Sequence, residues 1–266
     1  MNQIKAILAD ADGTLIENGK INNVLPELQE VVREARTQGI LFNLASGRPY
    51  AEQEPLHRLI TGTNSPHLME GILYEASAVR LFGRNESFVM GQLYPEQIEE
   101  LKSFVKNNNL FPGLVPNENE EFGKSYVTPG FLRGDGTNEN LIKNIFSEVK
   151  PVLELQFPYL EVTRSADAID ITAKGITKAD PTKKYSELTG ISLNQLAYFG
   201  DSGNDMPALK VIGEAGGLAI YVGKNKEQEK IIRSHENHFI PQYTGPKGTV
   251  QGIKYIMEKN SIFSFQ

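Results

Sequence analysis

Short apolar runs alternate with amphipathic helical patterns at both ends of this chain. The runs predicted as strands there are 4–9, 40–45, 73–81, 195–199 and 218–222. The segments predicted as helices are 23–38, 49–60, 180–188, 206–211 and a last helix that opens at Gly248. Alternating strands and helices are typical of an α/β fold, in which helices cover both faces of a doubly wound, Rossmann-like parallel sheet.

The middle of the chain has a different pattern. Between Gly83 and Ala173, the predicted helices are separated by longer stretches of strand and loop, rich in Gly, Pro and Asn. The elements predicted there are two helices, 95–106 and 138–149, and two paired strands, 160–164 and 168–172, joined by a tight turn at 165–167. We therefore expect a core domain of residues 1–83 and 171–266 that carries an inserted α+β domain of residues 84–170.

The composition excludes several classes of site and partner. The 266 residues include no cysteine, which rules out a disulfide framework, a thiolate zinc site and a cysteine nucleophile. The 27 Lys and Arg residues against 33 Asp and Glu give a net charge of −6, so neither nucleic acid nor membrane is expected as a partner. No apolar run approaches the ~20 residues of a spanning helix, and the N-terminus leads into a strand instead of a signal peptide. We expect a cytoplasmic protein.

Two carboxylates follow the first predicted strand. Residues two apart on an extended backbone point the same way, so Asp10 and Asp12 can face one site. Gly13 then permits a turn that a side chain would obstruct. Taken alone, this motif is more often a solvated Asp-Gly turn than a site.

A second acidic cluster follows the strand at 195–199 and favours a functional site over a solvated turn. It contains Asp201, Asn204 and Asp205. Two acidic clusters at the carboxyl ends of parallel strands would repel each other unless a cation lay between them. Mg²⁺ suits such a place, because it binds one or two carboxylates and leaves positions for water and a phosphate oxygen.

Two further residues add what a phosphoryl site needs. Ser46 ends the second predicted strand, and Lys178 precedes a predicted helix. A serine before glycine is usually only a turn, and a lone lysine is usually a surface charge. Beside the acidic clusters, they supply a hydroxyl donor and a fixed positive charge.

Together these segments resemble the motifs of the haloacid dehalogenase superfamily of phosphohydrolases. The four motifs, in chain order, are Asp10-Ala11-Asp12-Gly13-Thr14-Leu15, Ser46, Lys178 and Gly200-Asp201-Ser202-Gly203-Asn204-Asp205. The resemblance covers about 180 residues of the outer region, and the insert resembles the cap of the Cof-like branch. Glu75-Ala76-Ser77-Ala78 is similar to a Glu-Asn-Gly-Ala stretch of that branch, with Ala76 where an Asn is usual.

The resemblance implies a role for each of these residues. Asp10 would be the nucleophile that forms an aspartyl-phosphate, and Asp12 would protonate the leaving oxygen and later activate water. The other implied roles are Mg²⁺ binding by Asp10, the backbone carbonyl of Asp12 and Asp201, phosphoryl binding by Ser46, Lys178 and Asn204, and orientation of the site by Asp205. The cap residues that are candidates for substrate choice are Lys124, Arg133, Arg164 and Asp167.

We therefore expect a Mg²⁺-dependent phosphatase that hydrolyses a small organic phosphate monoester, such as a sugar phosphate. A phosphohexomutase of similar fold is the alternative, although the short fourth motif resembles the phosphatases more closely. A non-enzymatic, receiver-like phospho-switch uses a similar set of residues but needs no cap. The sequence does not specify the substrate or the oligomeric state, and nothing in it demands a partner chain, so a monomer would suffice.

Overall fold

The computed structural model describes residues 2–17, 21, 23–118, 120–127, 139–164 and 168–263. The predicted turn at 165–167 and two candidate cap residues, Arg133 and Asp167, lie outside these ranges. The strands are β1 Ala6–Ala9, β2 Leu41–Ser46, β3 Gly71–Tyr74, β4 Ala78–Leu81, β5 Phe88–Val89, β6 Val115–Pro116, β7 Lys124–Val127, β8 Leu160–Arg164, β9 Ala168–Ala173, β10 Leu196–Gly200, β11 Leu218–Tyr221 and β12 His238–Phe239. The helices are α1 Pro26–Thr37, α2 Tyr50–Thr61, α3 Pro95–Asn108, α4 Glu139–Gln156, α5 Ala179–Thr189, α6 Met206–Glu214, α7 Lys226–Arg233 and α8 Gly245–Phe263. Among these helices, none has the length and apolar character needed to cross a membrane.

The larger of two sheets has eight strands in the order β12-β11-β10-β1-β2-β3-β4-β5. The first six of these strands are parallel, and β4 and β5 extend the sheet as an antiparallel hairpin edge. The side chains of β1 alternate between two apolar clusters. Ile7 and Ala9 pack in the cluster of α1, α2 and α8, whereas Ala6 and Leu8 pack in the cluster of α5, α6 and α7. Helices therefore cover both faces, and the predicted doubly wound α/β fold is confirmed.

The smaller sheet is antiparallel, with strand order β6-β7-β9-β8. Its apolar side chains share one buried cluster with α3 and α4. A core of residues 1–83 and 171–266 with a cap of residues 84–170 stays a proposal. The strand pairing puts Phe88–Val89 in the larger sheet and keeps all of β9, to Ala173, in the smaller one.

The predicted strand at 73–81 is in fact two strands, β3 and β4, joined by a tight turn. Glu75 and Ala76 both have a positive φ in this turn, at 51° and 53°. Residues with a side chain seldom adopt this conformation, so the apolar run gave no sign of a reversal there. The turn contacts the segment that precedes β7 of the smaller sheet.

Two helices also differ from their predicted extent. α4 continues through Pro151 to Gln156, although an internal proline removes one helical hydrogen bond. Burial of Leu153 and Phe157 in the smaller sheet's cluster favours that extension. α7 was not predicted at all, because its two apolar residues, Ile231 and Ile232, are adjacent and form no helical repeat; only Ile232 is buried.

Candidate active site

The carboxyl ends of β10, β1 and β2 lie side by side, because these three strands are parallel neighbours. Asp10 directly follows β1, Ser46 ends β2, and Asp201 directly follows β10. Ligands of open α/β sheets bind beyond this kind of edge. The strand order thus brings together residues that are far apart in the sequence.

Lys178 joins two of these carboxylates. Its Nζ lies 2.6 Å from Oδ1 of Asp10 and 2.7 Å from Oδ1 of Asp205. Burial raises the pKa of Asp10 to about 7, against the opposing charge of Lys178. Burial also lowers the pKa of Lys178, but the charges of Asp10 and Asp205 outweigh it and raise that pKa well above its usual value. The amine therefore stays positively charged beside the predicted nucleophile.

Three carboxylates converge beside this lysine. Asp10, Asp201 and Asp205 can each offer one oxygen such that all three lie within 4.8 Å of one another. Burial, with the charges of Asp205 and Asp10, raises the pKa of Asp201 well above its usual value. A set of oxygen donors that repel one another fits a hard divalent cation such as Mg²⁺.

Asp205 already uses both of its oxygens within the protein. Oδ1 accepts from Lys178 and from the hydroxyl of Tyr198, and Oδ2 accepts from the backbone N–H groups of Asp201 and Ser202. Among the described residues, the Asp10 carboxylate bonds Lys178 through Oδ1, and that of Asp201 accepts a single side-chain bond, from Thr14 at 3.3 Å. Asp10 and Asp201 are therefore the better-placed cation ligands, and the bonds of Asp205 fix the loop that carries Asp201.

Gly13 allows the loop after β1 to approach Asp201. Its φ is +75°, and a Cβ at this position would lie 2.3 Å from Oδ2 of Asp201. No side chain fits in that space without displacing the carboxylate. Glycine therefore matters here for both the turn and the close approach of the two acidic loops.

Asp12 is held by an arginine that the sequence analysis did not single out. Arg48 donates from Nε to Oδ2 of Asp12 at 2.7 Å and from Nη2 to Oδ1 at 2.9 Å, and its Nη1 bonds Glu52 at 3.0 Å. Arg48 is buried, whereas the Asp12 side chain is 31% exposed toward the cavity. The signal for Arg48 was its position, two residues after Ser46 at the same sheet edge.

A cavity of about 800 Å³ opens at this edge, between the two sheets. The predicted residues that line it are Asp10, Asp12, Ser46, Asp201 and Asn204. A second cavity of about 200 Å³ adjoins it and is lined by Lys178 as well as Asn204. Six of the seven predicted site residues therefore face these cavities, and Asp205 lies behind them.

The smaller sheet and the loop before β7 contribute residues to the same cavities. Glu120, Ser125 and Asp170 line both of them. Of the predicted cap residues, Arg164 lines the larger cavity, and Lys124 lines the smaller one while bonding Glu118 at 3.0 Å. None of Glu120, Ser125 and Asp170 stood out in the sequence, because the pairing of β7 with β9 joins Ser125 to Asp170, and a bond from Ser125 adds Glu120 of the preceding loop.

Glu75 connects the two sheets directly. Its carboxylate accepts hydrogen bonds from the backbone N–H of Glu121 at 3.0 Å and of Phe122 at 2.7 Å. Burial raises the pKa of Glu75, although these bonds lower it. Glu75, which the sequence indicates only through a family motif, thus links the β3–β4 turn to the segment before β7.

Comparison with known proteins gives consistent matches. A model of the family described as haloacid dehalogenase-like hydrolase matches residues 7–126 and 60–228. The 5-amino-6-(5-phospho-D-ribitylamino)uracil phosphatase of Bacillus subtilis is 25% identical over 219 residues, covering 79% of this chain and 82% of that one. The phosphoglycolate phosphatase of Sulfolobus acidocaldarius is 22% identical over 260 residues, covering 96% and 97%. A HAD/COF-like hydrolase from Plasmodium vivax, 17% identical, covers 97% of this chain and 96% of its own with a TM-score of 0.70, which shows a shared fold.

Proposed function

This chain belongs to the haloacid dehalogenase-like hydrolase family, and we propose that it is a Mg²⁺-dependent phosphatase acting through an aspartyl-phosphate on Asp10. The phosphatase class predicted from the sequence agrees with that of its relatives. The proposed substrate is a small organic phosphate monoester, such as a sugar phosphate, and the proposed compartment is the cytoplasm. The cap is proposed to cover the site during the reaction.

The observation that carries this proposal is the convergence of charge on Asp10. Its carboxylate lies 2.6 Å from a buried lysine and within 4.8 Å of oxygens on two further aspartates. Such a site can hold a nucleophile, a cation and a phosphoryl group together. Positioning and charge neutralisation are the main catalytic contributions to phosphoryl transfer.

In the first step, an Asp10 oxygen attacks phosphorus in line, and the bond from phosphorus to the leaving oxygen breaks. Asp12, in its protonated form, gives its proton to that oxygen. In the second step, Asp12 takes a proton from water, the water oxygen attacks phosphorus, and the bond to Asp10 breaks to release phosphate.

The remaining residues hold the phosphoryl group and the cation. Ser46, Lys178 and Asn204 would bind phosphoryl oxygens. Asp10, the carbonyl of Asp12 and Asp201 would hold Mg²⁺, which supplies positive charge for the phosphoryl oxygens and for Asp10. Arg48 restrains Asp12, so one Asp12 oxygen must leave the guanidinium before it can carry a proton to the leaving group.

The test is phosphate release from a panel of phosphorylated metabolites, with and without Mg²⁺. Asp10→Asn should abolish turnover, whereas Glu187→Gln, at an exposed position on α5, should leave it unchanged. Unchanged release by Asp10→Asn would reject the assigned nucleophile. A sugar bisphosphate product without free phosphate would favour the mutase, and a stable phospho-Asp10 without turnover would favour the phospho-switch.

A further inference from the structure

The smaller cavity is the space into which a leaving group would extend from the phosphoryl site. Lys178 and Asn204 line its core side, and Ser125 and Asp170 line its cap side. The acidic side chains that line it are Glu75, Glu120, Glu161 and Asp170. The cavity wall beyond the phosphoryl site is therefore rich in hydrogen-bond acceptors.

The two lysines of this cavity are already engaged. Lys178 is bound to Asp10 and Asp205. Lys124 donates to the carbonyl oxygen of Asn117 and to Glu118. Among the described residues, neither lysine forms an ion pair with Glu120 or Asp170, although the nearby charge of Lys178 lowers the pKa of Asp170.

A single hydroxyl lies between the two carboxylates. Ser125 on β7 is the register partner of Asp170 on β9, and its hydroxyl donates to Oε1 of Glu120. A serine hydroxyl has one proton to donate. It can therefore satisfy only one of the two carboxylates at a time.

Glu120 also has a carboxylate oxygen that lacks a hydrogen-bond partner in the described part of the chain. Its Oε2 is buried and has no hydrogen-bond partner among the described residues. Burial raises the pKa of Glu120 to about 8 and that of Asp170 to about 6. An acceptor oxygen left unpaired in a cavity costs free energy that a donor on a ligand would recover.

We propose that this cavity selects a leaving group that carries hydrogen-bond donors and no second negative charge, an inference that rests on the proposed function. Glu120 and Asp170 are the acceptors that the cavity offers. An ammonium group fits best, a hydroxyl is accepted, and a carboxylate or second phosphate is rejected. Rejection follows because Asp170, with a pKa of about 6, is ionised at neutral pH and would repel a second negative charge in a partly enclosed site. The phosphoglycolate phosphatase among the relatives, by its name, takes a substrate with a carboxylate; this chain should differ from it.

Cationic side chains line the larger cavity, and they would favour an anionic leaving group. Lys150 bonds Glu154 at 2.7 Å and the carbonyl of Val162 at 2.7 Å, and Arg164 lies over the ring of Phe146. An anionic leaving group would have to turn away from Glu120 and Asp170 to reach them. The substrate preference shows whether the leaving group extends toward Glu120 and Asp170 or toward Lys150 and Arg164.

The test compares three two-carbon substrates that differ in one group: phosphoethanolamine, 2-hydroxyethyl phosphate and phosphoglycolate. Values of kcat/KM are measured with Mg²⁺ for the wild type, Glu120→Gln and Asp170→Asn. Glu99→Gln, which removes an exposed carboxylate from α3, is the control for net charge. p-Nitrophenyl phosphate reports whether phosphatase activity is present at all.

We expect the wild type to prefer phosphoethanolamine over phosphoglycolate by at least about tenfold. Glu120→Gln and Asp170→Asn should each lower that ratio severalfold, and Glu99→Gln should leave it unchanged. Equal use of the two substrates, or a ratio that neither cavity variant alters, would overturn the inference while leaving the phosphatase proposal intact. No release from any substrate, p-nitrophenyl phosphate included, would instead reject the proposed function and this inference with it.

Discussion

Individual side chains at the sheet edge are held by short, directional contacts. Gly13 lets the first acidic loop approach Asp201, and Arg48 fixes both oxygens of Asp12. Bidentate arginine–carboxylate pairs combine charge with defined geometry, so they orient as well as attract. The site is thus preorganised by residues that need not touch phosphorus.

Replacing Gly13 by alanine should weaken Mg²⁺ binding by about tenfold or more, a loss of about 1.4 kcal/mol. The new Cβ would meet Oδ2 of Asp201 at 2.3 Å. Gly39→Ala is the matched control, because its φ of +81° imposes a similar backbone strain with no atom within 4 Å. Titration calorimetry with Mg²⁺ measures both variants. Equal Mg²⁺ affinity in the two would contradict the steric explanation.

Replacing Arg48 by glutamine should lower kcat roughly 10- to 100-fold for an alkyl phosphate and less for p-nitrophenyl phosphate. Loss of the bidentate pair frees Asp12 to rotate, and a poor leaving group depends more on a well-placed acid. Arg58→Gln is the control, because Arg58 on α2 bonds Glu54 and the carbonyl of Asn64 at the surface; it should change neither rate. Similar losses on both substrates would indicate that Arg48 acts on something other than proton transfer.

Among the elements, the β3–β4 hairpin makes direct contact between the larger sheet and the segment before β7. Glu75 at its turn accepts two backbone N–H groups from the segment before β7. Tyr74, at the end of β3, packs on Phe122 with a ring separation of 5.6 Å. A three-residue turn therefore acts as a fixed contact between the larger sheet and the segment before β7.

Substituting Glu75 by alanine should speed hydrogen exchange at the amides of Glu121 and Phe122 and destabilise the protein by about 1–3 kcal/mol, because two N–H groups lose their acceptor. Glu75→Gln, which keeps one acceptor oxygen, should cause a smaller increase in hydrogen exchange and a smaller loss of stability. Glu121→Ala is the control, since the backbone and not the exposed side chain of Glu121 makes the contact. Unchanged exchange in Glu75→Ala would show that the hydrogen bonds do not hold the cap.

The core strands and the motif residues at their ends could be predicted from the sequence, because each depends on a local signal. An apolar run gives the strand, and the polar residue that follows it lies at the sheet edge. Glu120 and Asp170 carry no such signal, since pairing between distant segments sets their partners. The hairpin was missed for another reason: Glu75 and Ala76 adopt a backbone conformation that neither residue type indicates.

For the molecule as a whole, buried acids make the charge of the site dependent on pH. Folding raises the pKa of Asp10 to about 7, of Asp170 to about 6 and of Glu120 to about 8. The folded protein therefore holds protons that the unfolded chain, with ordinary values near 4, has already released. Stability should then fall as pH rises through this window.

In a chelating buffer, we expect the melting temperature to decrease between pH 5 and pH 8. Mg²⁺ at about 100 times its Kd adds about 2.7 kcal/mol, and its effect should be larger at pH 8 than at pH 5, because protons compete for the same oxygens. Asp201→Asn should remove most of the Mg²⁺ effect. Calorimetric melting curves at several pH values provide the measurement, and a Mg²⁺ effect independent of pH would contradict the assigned ligands.

The strand that carries Asp170 continues within a few residues to Lys178, so one stretch of backbone joins the proposed specificity residue to the lysine beside Asp10. We expect a tilt of the smaller sheet to shift the amine along that stretch. Exchange of the whole cap with that of a relative would consequently be constrained by the length of this connection. Natural divergence of substrate range should proceed more easily by point changes on β7 and β9 than by transplanting the domain.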